Sequence, residues 1–119
     1  MVELRSPVLG YLRTLTPREA TSARRRIKRA ALLLGFGWAG ARQHPLSVES
    51  ISEVRGIMLD CGSSPAAINN TLADLRGVAQ VAHGMGKMSG AELAAVEAVP
   101  DVPDPKREPR LLAGGRTRP

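Results

Sequence analysis

From Ser64 to His83 the chain reads SPAAINNTLADLRGVAQVAH, and this stretch decides the fold. The Ser64 hydroxyl can accept from a first-turn backbone N–H, and Pro65 carries the φ that a first helical turn requires, so a helix is predicted from Pro65 to about His83. Ile68, Leu72, Leu75, Ala79 and Ala82 recur at three- and four-residue steps, which at 100° per residue keeps them within about 40° of one line. Asn69, Asn70, Ala73, Gly77 and Gln80 fall elsewhere on the helix. A helix with one apolar side needs neighbours to cover it.

Those neighbours can be read outward in both directions. Upstream, a helix from about Val48 to Asp60 turns Ile51, Val54, Ile57 and Met58 inward and is closed by Cys61-Gly62-Ser63. Downstream, Gly84 and Gly86 break the chain, and Ser89 with Glu92 forms a capping box for a short last helix that packs through Leu93, Val96 and Val99 and ends before Pro100. At the N-terminus, Ser6-Pro7 opens a short helix through about Leu15. Thr16, Pro17 and Glu19 then open a longer one from Pro17 to about Leu34. Gly35, Gly37 and Gly40 end that helix, and the loop through Pro45 is expected to fold Phe36 and Trp38 back over the core. Tyr11, Phe36 and Trp38 are the only aromatics, so the core must come from Ala, Leu, Val and Ile, a palette suited to close helix packing. The prediction is an all-α, compact bundle of four to five short helices over residues 1–99. Residues 100–119 follow as a Pro-rich basic linker or tail, with Pro100, Pro103, Pro105 and Pro109 among Lys106, Arg107, Arg110, Arg116 and Arg118.

Charge narrows the function classes. Seventeen Lys and Arg against eleven Asp and Glu give a net charge of +6, which favours a polyanionic partner. The excess is local. Residues 1–35 hold Arg5, Arg13, Arg18, Arg24, Arg25, Arg26, Lys28 and Arg29 against Glu3 and Glu19, whereas residues 36–99 are acid-rich. The lone Cys61 forms no internal disulfide, and with His44 and His83 far apart it gives no metal-ligand cluster, so neither metal nor cofactor is expected. No apolar run approaches the roughly 20 residues that span a bilayer, and the start of the chain lacks a signal peptide's apolar stretch. A cytoplasmic, nucleoid-associated protein with a reduced cysteine is expected.

The second helix carries the sharpest functional signal. Ala20, Ala23, Ile27, Ala30, Ala31 and Leu34 form its apolar stripe, while Arg18, Arg25 and Arg29 fall opposite and Arg26 and Lys28 flank them. Cations this close repel one another and gain from phosphates that neutralise them; a merely solvated face is usually interspersed with acids, which are missing here. On the fourth helix, Asn69 and Asn70 could read adenine edges, with Arg76 near them for phosphate or guanine. Asn near a helix start also serves local backbone bonding. Tyr11 has no Arg and His constellation to make it a nucleophile and reads as a core or interface residue. His83 suits a helix C-terminus.

The order of elements is also familiar. The segment Tyr11-Leu12-Arg13-Thr14-Leu15-Thr16-Pro17-Arg18, then a basic helix, a Trp-containing Gly-rich loop and the run from Ser64 to Val78 resemble the N-terminal core-binding (SAM-like) domain of phage-integrase-type tyrosine recombinases. The likeness spans nearly the whole chain, and Lys87-Met88-Ser89 and the run from Arg110 to Arg116 look like the lead into the linker of that family. The resemblance implies a helical bundle that clamps double-stranded DNA opposite a catalytic domain, for DNA integration or recombination of a mobile genetic element. Its second and fourth helices would face the major groove. Arg25, Arg29, Asn69, Asn70 and Arg76 are candidate contacts by matching position, and Arg18, Arg26 and Lys28 join them from the charge pattern. The family's catalytic Arg, His and Tyr lie in its C-terminal domain and have no counterpart here, so a non-enzymatic module is expected, with duplex DNA and a recombinase catalytic domain or other protomers as partners. Two other classes fit the same residues: a helical protein-interaction module with an acidic partner, and a helix-turn-helix regulator, whose tight turn the inter-helix loops match poorly.

Overall fold

The computed structural model describes residues 6–35, 37 and 47–104. Among them are five helices and no strand: α1 (Pro7–Arg13), α2 (Pro17–Leu33), α3 (Val48–Asp60), α4 (Pro65–Gly84) and α5 (Gly90–Glu97). The chain is an all-α helical bundle. The expected packing of Phe36 and Trp38 and the tail beyond residue 104 lie outside the described residues.

Local chemistry sets the helix starts. All five N-caps are Ser or Thr, and each accepts from a backbone N–H three residues on: Ser6, Thr16, Ser47, Ser64 and Ser89. Thr16–Glu19 and Ser89–Glu92 close full capping boxes, with bonds of 3.0–3.2 Å in the first and 3.1 Å in the second. Each such cap is worth about 1 kcal/mol. At the far ends of α3 and α4, Gly62 and Gly86 adopt φ of 80° and 76°. The N–H groups of Ser63 and Lys87 reach back to Met58 and Ala82 carbonyls at 3.0 and 2.8 Å, which satisfies carbonyls the helices leave open. Helix α1 stops at Arg13, two residues short of the expected end, because Thr14 bonds back to the Tyr11 carbonyl and Thr16 must stay extended to cap α2.

Helix α4 is the axis of the bundle and touches each of the other four. Its buried arc is wider than the apolar stripe suggests. Besides Ile68, Leu72, Leu75, Ala79 and Ala82 it includes Thr71, Asp74 and Val78. One side of α4 packs with α3, α5 and the end of α2 around Ile51, Val54, Ile68, Leu72 and Val96. The other packs with α1 and α2 around Val8, Leu12, Ala23, Ile27 and Val78. Ile57 of α3, expected to point inward, is only half-buried. Gly77 permits the close approach of α1, since a Cβ there would stand 2.2 Å from Cε1 of Tyr11.

The chain after α5 does not leave the bundle at residue 99. Val99 and Val102 are buried, and three side chains grip the segment between them. Arg55 donates from Nε to the Pro100 carbonyl at 2.8 Å. Arg76 donates to the Val99 carbonyl at 2.5 Å and to the Asp101 carboxylate at 2.9 Å. Asn69 donates to the Val102 carbonyl at 2.9 Å and accepts from its N–H at 2.7 Å, as an adjacent strand would. The folded body thus extends through Val102.

Two alanine substitutions should have opposite signs in urea unfolding. Gly77→Ala forces the Tyr11 ring off α4 and should lower stability by about 1–3 kcal/mol. Gly56→Ala, mid-helix in α3 with nothing near its added methyl, should raise it by about 0.5–1 kcal/mol.

Candidate nucleic-acid interface

The outward face of α2 follows from its sequence pattern. With Ala23, Ile27, Ala30 and Ala31 buried, Arg18, Arg25 and Arg29 stand within about 40° of one another on the opposite side, and all three are exposed. None of the three makes an ion pair or hydrogen bond with a described residue. Arg24 and Lys28 are exposed beside them, and both have interactions of their own. Leu32, 68% exposed, continues the same face toward the end of the helix.

Arg26 behaves differently. Its Nε donates to Asp74 of α4, and Asp74 also accepts from the Tyr11 hydroxyl of α1 at 2.7 Å. The carboxylate is 5% exposed and Arg26 33%, so one buried anion ties α1 and α2 to α4. Burial first, and then the hydrogen bond to Asp74 and its negative charge, push the Tyr11 phenol well above the ordinary tyrosine range. A phenol so firmly protonated is the reverse of an activated nucleophile. Sequence reasoning missed Asp74; the available signal was an acid beside the apolar stripe of α4, matched by a cation flanking the stripe of α2.

The α4 candidates separate. Asn69 and Arg76, expected as DNA contacts, are engaged by the segment 99–102 on the side of α4 that meets α5. Nε of Arg76 is buried without a partner among the described residues. Asn70 is exposed and makes no hydrogen bond with a described residue. It borders a cleft of about 250 Å³ between α2, α3 and α4, which Arg26 and Arg29 line from the α2 side over Ala30, Met58 and Ala67. The structure therefore brings Arg26, Arg29 and Asn70 together, extends the cationic surface along α2 through Arg25 to Arg18, and leaves Asn69 and Arg76 elsewhere. Because α4 is covered by four helices, it cannot lie lengthwise in a groove; toward α2 its Asp74 and Val78 are buried and Asn70 is exposed.

A second charged surface faces outward on α3. Glu49, Glu53 and Asp60 are exposed and fall within about 40° of one another at 100° per residue. Among the described residues no group of His, Cys, Asp or Glu is placed to hold a metal ion, and no helix is long and apolar enough to cross a membrane. No protein-family model, curated protein or solved structure matches the chain.

Tyr11 is the chain's one tyrosine, so its titration can be followed by phenolate absorbance. Because its pKa is raised in the folded state, its contribution to stability is complete below about pH 10, where the unfolded phenol is still protonated, and is lost as pH rises through the folded value. Phenolate absorbance should stay absent near pH 10 while the protein is folded and appear with unfolding, and Tyr11→Phe should remove much of the alkaline loss of thermal stability. A free tyrosine titration near pH 10 in the folded chain would contradict the buried Tyr11–Asp74 bond.

Proposed function

We propose that this chain is a non-catalytic DNA-binding module that grips duplex DNA through the exposed face of α2, in the role that its resemblance to recombinase core-binding domains implies. The observation that carries this reading is the row Arg18, Arg25 and Arg29, exposed and without ionic partners among the described residues. Three like charges on one helix face disfavour one another and are relieved by a phosphate backbone, which releases its counterions in exchange. Arg24 and Lys28 add to the same field, and the cations of residues 105–119 supply further charge in sequence. Affinity in this reading comes from backbone neutralisation and is largely indifferent to sequence. Asn69 and Arg76 act as anchors for the segment 99–102 and not as base readers. Integration or recombination of a mobile element, with a catalytic partner and a place on the nucleoid, is the biological setting this reading suggests.

Fluorescence anisotropy against a random duplex about three helical turns long, repeated over a range of salt, tests it. The expected log–log slope is about −3 to −6. Arg25→Ala with Arg29→Ala should weaken binding to all duplexes alike and flatten the slope by about 2, whereas Arg76→Ala should leave the slope intact. Absence of binding at low salt would overturn the DNA reading in favour of an acidic protein partner.

A further inference from the structure

The cleft beside α2 has features that backbone neutralisation does not require. Its rim holds two arginines and an amide, and its floor is formed by Ala30, Met58, Ala67 and Thr71, whose hydroxyl is spent on the Ala67 carbonyl. One of those arginines, Arg26, is fixed from behind by the buried Asp74, itself held by Tyr11, so it is already oriented before any ligand arrives. Preorganised guanidinium groups recognise phosphoryl oxygens well, since less freedom is lost on binding. Asn70 offers both a donor and an acceptor, which a simple anion cannot use but the edge of a nucleobase can. The half-buried Ala67, with the nearly buried Ala30 and Met58 beside it, gives a flat ring a small apolar surface to lie against, and a duplex backbone has no group to put there.

We infer that this cleft receives a single unpaired nucleotide of a DNA strand, its phosphate held by Arg26 and Arg29 and its base edge by Asn70 over the floor at Ala67, Ala30 and Met58. The inference rests on the DNA-binding reading and deepens it. Extruding a base from an intact duplex breaks both stacking and pairing, and among the described residues no aromatic side chain lines the cleft to restore the stacking. The cleft therefore captures a nucleotide that is already unpaired, at a bulge, a gap or a single-stranded overhang, and does not open paired DNA.

The full chain would be titrated by anisotropy against a paired duplex and against the same duplex carrying one extra unpaired adenosine, at one salt concentration. The expected result is binding to the bulged duplex about 10-fold tighter, a ratio set by one good base contact, with Asn70→Ala returning the ratio to near one. Equal binding of the two duplexes by the wild-type chain would overturn the cleft assignment and leave the DNA reading standing. A preference for the bulge that survives Asn70→Ala would place the unpaired nucleotide elsewhere and overturn it as well. Failure to bind either duplex would remove both readings together.

Discussion

A carboxylate nearly sealed from water, Asp74, holds the N-terminal half of the bundle to its central helix. Two donors converge on it, the Tyr11 hydroxyl from α1 and the Arg26 guanidinium from α2. An unpaired buried anion is strongly destabilising, so the helices can pack only where both donors reach it. That constraint fixes more than position. Apolar contacts among Val8, Leu12, Ala23, Ile27 and Val78 would tolerate small rotations of α1 and α2, while a hydrogen-bonded charge does not. The rotation of α2 about its own axis decides which of its arginines face outward. Thus the buried Asp74–Arg26 pair orients the exposed Arg18, Arg25 and Arg29 without touching them.

The C-terminal half is organised by a different device. Arg55, Asn69 and Arg76 each use side-chain donors to hold main-chain carbonyls of residues 99–102, and the burial of Val99 and Val102 closes the far side of the core. Polar side chains on α3 and α4 here substitute for the regular bonding that an extended segment beside helices lacks. The two halves meet along α4, which α1 approaches closely where Gly77 of α4 faces Tyr11 and Gly10 of α1 faces Val81, while larger residues of α4 face α3 and α5.

Much of this fold was legible in the sequence, and the reasons differ element by element. Ser64-Pro65, Thr16-Pro17 and Ser89 with Glu92 are local signals, needing only a few residues to act, and each marks a helix start. Helix α3 begins and ends where its periodicity and Cys61-Gly62 place it. The outward set on α2 likewise follows from a 100° step. What the sequence does not reveal is where a polar residue finds its partner. Asn69 and Asn70 are identical side chains at adjacent positions, yet one is spent on Val102 and the other is exposed beside a cleft, because the 100° between them separates the α5 side of α4 from the α2 side. Arg76 and Arg26 were likewise indistinguishable from surface cations. Val99 and Val102, apolar within a Pro-rich run, were the one hint that the chain stays on the bundle past residue 99.

The opposite signs of the α2 and α3 faces have a kinetic consequence. A body with a cationic row on one helix and Glu49, Glu53 and Asp60 on another carries a charge asymmetry in addition to its net +6. As it diffuses toward a polyanion, orientations that present α3 are repelled and those that present α2 are drawn in, over distances up to the screening length of about 8–10 Å. Encounters are therefore sorted before contact. The acidic face acts as a vane, turning the molecule so that a larger share of collisions arrives with α2 leading, and that sorting weakens as salt is added.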